Sequence, residues 1–136
     1  MTFVVDASVT MSWCFEDEAT SYTESVLDRL RDSSAQAPGI WPLEVANILL
    51  LGERRGRIPR PKTESFVRVL QELRVSVEDG SPATVLGPVL RIGREYGLTS
   101  YDAAYLELAM RRGLPLATLD RRLADAAGRA GVDLLE

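Results

Sequence analysis

Phe3-Val4-Val5-Asp6-Ala7-Ser8-Val9 is the stretch that decides the fold. Three consecutive apolar residues, two of them β-branched, read as a buried strand, and an acid follows directly at its end. Further runs of this kind are the weakly patterned Ala35 to Pro38, Val75-Ser76-Val77, Leu116-Ala117-Thr118 and Val132 to Leu135. Helical patterns lie between them. Short strands alternating with helices point to βαβ units, and so to an α/β fold on a parallel sheet.

The helices carry their own punctuation. Pro42 suits a first helical position, and Val45, Ile48, Leu49 and Gly52 recur at helical spacing until Gly56 stops the run. Thr99 or Ser100 caps a helix bearing Tyr101, Ala104, Tyr105 and Leu108 on one face, which ends at Gly113 before Pro115. A last helix follows Asp120, turns Leu123, Ala126, Ala127 and Ala130 inward, and stops at Gly131. Ser81-Pro82 opens another, with Pro88 either kinking it or delaying its start. With 136 residues and no repeat, low-complexity tract or dividing linker, one domain is expected over 1–136.

Composition narrows the chemistry. The chain has no histidine, which excludes Ser-His-Asp and Cys-His catalysis and any histidine-ligated metal. Its single cysteine, Cys14, excludes an internal disulfide and reads as a small buried hydrophobe. Trp13, Cys14 and Phe15 belong either to the core or to a partner groove. The net charge of −4 is uneven: residues 1–53 hold nine acids against two arginines, residues 54–136 eleven acids against fourteen basic residues. The bulk charge therefore speaks only weakly against a nucleic-acid partner. The most apolar run, Ile40 to Leu51, is too short and too polar to span a membrane, and the acidic N-terminus resembles no signal peptide. A cytoplasmic location without membrane contact is expected.

Ligands of open parallel sheets bind beyond the carboxyl ends of the strands. Asp6 follows the first strand, Glu44 lies in the first turn after the second, and Asp120 comes two residues after Thr118. Local structure alone puts these three at one rim. Asp102, in the first turn of its helix, joins them only if that helix starts there. Taken singly, Glu44 and Asp102 can be explained as acids complementing a helix dipole, worth ~0.3–1 kcal/mol each. Asp120 can likewise be explained as a helix cap. Taken together, carboxylates in one place repel and call for a cation, and an all-oxygen donor set favours Mg²⁺ or Mn²⁺. Such ions activate water without a histidine base. Ser8 and Thr118 offer supporting hydroxyls, and Asn47, one turn from Glu44, could orient a carboxylate. Arg54, Arg55, Arg57, Arg60 and Lys62 form a basic run around a Gly56 and Pro59/Pro61 turn that suits phosphate contacts.

Asp6-Ala7-Ser8-Val9, Trp41-Pro42-Leu43-Glu44-Val45-Ala46-Asn47, Tyr101-Asp102-Ala103-Ala104-Tyr105 and Thr118-Leu119-Asp120 together resemble the PIN-domain family, in particular its VapC-type toxins. The likeness runs from Val4 to about Val132. It implies a three-layer α/β/α sandwich on a five-stranded parallel sheet, and a Mg²⁺- or Mn²⁺-dependent endoribonuclease. It also implies a homodimer and a hetero-oligomer with a VapB-like antitoxin lying over the acids. On the matching positions, Asp6 and Asp102 would be the main metal ligands, Glu44 would complete the shell directly or through water, and Asp120 would be the fourth acid. Asn47 and Thr118 match the family's amide and hydroxyl.

Two other functions compete. Aspartyl phosphotransfer also places acids at strand ends, but it usually needs a lysine in the site, and Lys62 is the one lysine, far from any strand end. One such class further wants an acid where Ser8 stands. A catalytically weak module that binds RNA or the antitoxin is the second alternative, and four intact acids argue against it.

Overall fold

The computed structural model describes residues 2–136. Four strands form one sheet: β1 (Thr2–Val5), β2 (Ser34–Pro38), β3 (Val75–Glu78) and β4 (Leu116–Ala117). Their order is β3-β2-β1-β4 and every pairing is parallel, with Phe3 opposite Ala35, Ala35 opposite Val75, and Val4 opposite Leu116. The chain thus moves outward from β1 through β2 to β3, then returns to the other side of β1. That reversal is the switch point of the sheet.

Helices cover both faces. They are α1 (Ala7–Ser12), α2 (Ser21–Arg29), α3 (Trp41–Arg54), α4 (Arg60–Glu72), α5 (Pro82–Tyr96), α6 (Ser100–Arg112) and α7 (Arg121–Arg129). Alternation along β1 explains the two layers, because successive side chains point to opposite faces. Val4 packs with Trp41, Leu49, Ile92, Leu106, Leu123 and their neighbours on one side. Phe3 and Val5 pack with Val9, Val26, Leu30 and Leu135 on the other. Cys14 and Phe15 are buried, and the Trp13 indole donates to the Thr23 carbonyl at 2.8 Å, so this apolar triplet is core.

The fifth strand expected at Val132 to Leu135 is reduced to a single parallel bridge between Leu134 and Leu116. Leu116 N donates to Asp133 O at 2.9 Å and Leu135 N donates to Leu116 O at 2.8 Å. The cause lies in β4, which is only two residues long and offers that edge a single partner. Pro88 does not delay α5, which starts at Pro82 behind a Ser81–Thr84 capping box and runs through the proline. Gly56, Gly113 and Gly131 all stop their helices with positive φ, as only glycine does cheaply. Pro61 lies in the first turn of α4, so Arg60 and Lys62 are helical and the turn itself is Gly56 to Pro59.

One buried contact fixes α1 against α3. Thr10 Oγ1 donates to the Asp6 carbonyl at 2.8 Å and accepts from Trp41 Nε1 at 2.9 Å. Thr10 is fully buried, so Thr10→Val should preserve shape but leave the indole N–H without a partner. A loss of about 1–3 kcal/mol in urea unfolding is expected. An unchanged midpoint would show that this bond does not hold the two helices together.

Candidate active site

Asp6 stands where β1 ends and α1 begins, and it caps α1. Its Oδ1 accepts from Val9 N at 3.0 Å and from Ser8 Oγ at 2.7 Å. Its Oδ2 accepts a short bond from the Thr118 hydroxyl, which comes from just beyond β4, the neighbouring strand. The two hydroxyls are themselves tied to the loop after β4, since Ser8 Oγ accepts from Leu119 N at 2.9 Å and Thr118 Oγ1 from Asp120 N at 3.0 Å. Asp6 is only 4% exposed. Burial pushes its carboxyl up to about 6, the charge of Asp102 adds to this, and the three hydrogen bonds oppose it.

The other acids approach from three helices. Asp120 caps α7, its Oδ1 accepting from Arg122 N at 2.9 Å and Leu123 N at 3.2 Å. Asp102 sits in the first turn of α6, whose cap is Thr99, and burial and the charge of Asp120 raise its pKa. Glu44 lies in the first turn of α3 and its Oε1 accepts from the Tyr105 hydroxyl at 2.6 Å. Burial raises its pKa too, with a contribution from Asp102. Asp102 therefore feels or acts on each of the other three. The four sequence-predicted acids gather at the carboxyl edge of the sheet, around the switch between β1 and β4.

The supporting residues divide. Ser8 and Thr118 hold Asp6, whereas Asn47 is exposed and its side chain makes no hydrogen bond among the described residues. Tyr105, which the helical repeat marked only as core, fills the role of steadying Glu44. Its partner lies 61 residues away, a distance that no local pattern spans. Of the basic run, Arg57 pairs with Asp17 and Glu18 and lies over the Phe15 ring, and Arg60 pairs with Glu64. Arg54, Arg55 and Lys62 are exposed. This run sits at the far end of α3 from Glu44, about 15 Å away by helix rise. Arg122 stands nearer the acids, and its charge partly offsets the rise at Asp102.

None of the four acids takes part in a salt bridge among the described residues. No three acids converge into a ready-made metal cage there either. Mg²⁺ needs no such cage, since it keeps several waters and commonly takes one or two carboxylates. The donor chemistry fits: every group is a carboxylate, and Asp102 has no hydrogen bond on either oxygen among the described residues.

The PIN domain pattern matches residues 3–129, and the chain belongs to the PIN-domain family. Ribonuclease VapC3 of Pyrobaculum aerophilum is 31% identical over 125 residues, which is 92% of this chain and 94% of that protein. The crystal structure of PAE2754 from the same organism superposes with a TM-score of 0.71 at 25% identity, over 93% of this chain and 84% of that one. VapBC2 from Rickettsia felis, bound to a promoter DNA fragment, shares the fold with a TM-score of 0.64 at 15% identity, over 100% of this chain and 98% of that one.

The pH dependence follows from Asp6. Its folded-state value of about 6 lies above the ordinary 3.8, so protonation favours the fold. That contribution is complete below pH 3.8 and disappears as the pH rises through 6; two units correspond to about 3 kcal/mol. In chelator, the stability of wild type relative to Asp6→Asn should rise by up to this amount between pH 7 and pH 4. Parallel pH profiles for the two proteins would contradict it.

Proposed function

We propose that this protein is a divalent-metal-dependent endoribonuclease, the toxin of a toxin–antitoxin pair. The observation that carries the reading is the gathering of Asp6, Glu44, Asp102 and Asp120 at the sheet's switch point without a salt bridge to any of them. Kinship with ribonuclease VapC3 along nearly the whole chain supports RNA as the substrate. Asp6 and Asp102 would hold Mg²⁺ or Mn²⁺, with Glu44 completing the shell or acting through water and Asp120 as the fourth acid. The bound ion supplies charge against the phosphate and lowers the pKa of water.

The rest falls to the chain's own side chains. Ser8, Thr118 and the Val9 amide fix both oxygens of Asp6. Asp120 spends Oδ1 on capping α7 and keeps Oδ2 open. Hydrolysis adds water at phosphorus, breaks one ester bond and sends a proton to the departing oxygen. Without histidine, carboxylates are the groups at hand to accept the proton from water. Exposed Arg121 and Arg122 flank Asp120 and suit the phosphates near the cut, while Arg54, Arg55 and Lys62 would meet RNA farther away.

A VapB-like antitoxin is the partner in this reading, in keeping with the VapBC2 structure that shares the fold. An apolar groove of about 520 Å³ between α3 and α4, lined by Val45, Leu49, Val67 and Leu70, gives such a partner surface to bury. A homodimer is supported by the uncharged stretch Gly80 to Leu90, where Leu86 is 59% exposed beside exposed Val85 and Leu90. No described helix is long and apolar enough to cross a membrane, in keeping with cytoplasmic action.

Asp102→Asn keeps size and fold but removes one negative charge. Cleavage of RNA in Mg²⁺ should fall by roughly 10²-fold or more, the scale of losing a group that stabilises transition-state charge. Full activity in that variant, or in wild type with chelator, would overturn the metal-site assignment, and no cleavage by wild type in Mg²⁺ would favour a binding-only module.

A further inference from the structure

Tyr105 lies in α6 one turn beyond Asp102, is 1% exposed, and has its ring packed in the core between the sheet and the helices. Residues three apart on a helix share a face, so the ring points the way Asp102 points. Its hydroxyl leaves the core at one place, to donate to Glu44 Oε1 at 2.6 Å. That length is typical of a charge-assisted O–H···O⁻ bond. Burial, the hydrogen bond to Glu44 and the negative charges of Glu44, Asp6 and Asp102 keep the phenol protonated, so it serves as a donor and not as a base.

Glu44 needs such a donor. It is half-buried, with a long side chain that could swing to water. Tyr105 is its one side-chain hydrogen-bond partner among the described residues. A tyrosine with its ring locked by packing holds its oxygen still, whereas a serine or lysine would move with the carboxylate. We propose that Tyr105 is a positioning residue whose hydroxyl anchors Glu44 Oε1, leaving Oε2 free, and so sets how tightly the acid cluster takes a divalent cation. The inference rests on the reading of the four acids as a cation site.

Binding of Mn²⁺, followed by the paramagnetic signal of the free ion, tests this without catalysis. Tyr105→Phe keeps the ring and removes the anchor, so affinity should weaken about tenfold, the usual scale for groups that orient a ligand. RNA cleavage should fall at limiting Mg²⁺ and recover at saturating Mg²⁺. In a Glu44→Gln background the same change should alter Mn²⁺ affinity within about twofold, because the effect runs through Glu44. Glu44→Asp, which leaves Tyr105 and the core untouched but draws the carboxylate back from the hydroxyl, should weaken Mn²⁺ binding in the same direction. Unchanged affinity in Tyr105→Phe, or an equal loss with and without the Glu44 carboxylate, would overturn the proposal while leaving the cation site standing. A wild type that binds no Mn²⁺ would overturn the functional reading itself, and this inference with it.

Discussion

A carboxylate buried at the end of the central strand is the constraint on which the rest of this structure depends. Asp6 cannot be buried cheaply, because an ionised acid removed from water needs compensating donors. It receives a backbone amide and a hydroxyl from its own turn and a second hydroxyl from beyond β4. Those hydroxyls in turn accept the amides of Leu119 and Asp120, so the loop that delivers Asp120 is shaped around Asp6. The bonds only partly offset the burial, which is why the carboxyl stays raised to about 6.

The remaining acids make the arrangement worse for the protein alone and better for a cation. Beyond the effect of burial, Asp102 raises Asp6 and Glu44 further, and is itself raised by Asp120. Such mutual repulsion persists in folded proteins when the surroundings over-determine it. Here the surroundings are specific: Thr10 and Trp41 lock α1 to α3, Tyr105 ties α6 to Glu44, and parallel pairing brings β1 beside β4.

Much of this was legible in the chain. An acid placed directly after an apolar run, as at Asp6, marks a strand end without reference to the rest of the fold. Positive-φ stops at Gly56, Gly113 and Gly131 follow from glycine's lack of a Cβ. Short α1, sparsely apolar α2, and α4, which begins in a proline-flanked basic turn, carry no comparable signal. Asp102 could not be brought to the rim by spacing, since its place depends on strand order. Asn47 fails as a support for Glu44 because the helix turns it to solvent, and the hydroxyl that does the work arrives from α6. The fifth strand shrinks to a bridge beside the two-residue β4.

Thermal unfolding with and without a divalent ion tests most directly whether that ion relieves the four gathered carboxylates. With Mn²⁺ or Mg²⁺ at a hundredfold excess over its dissociation constant, stability should rise by about 2.7 kcal/mol relative to chelator, and Asp6→Asn should lose most of that gain. Identical melting temperatures in metal and in chelator would contradict it.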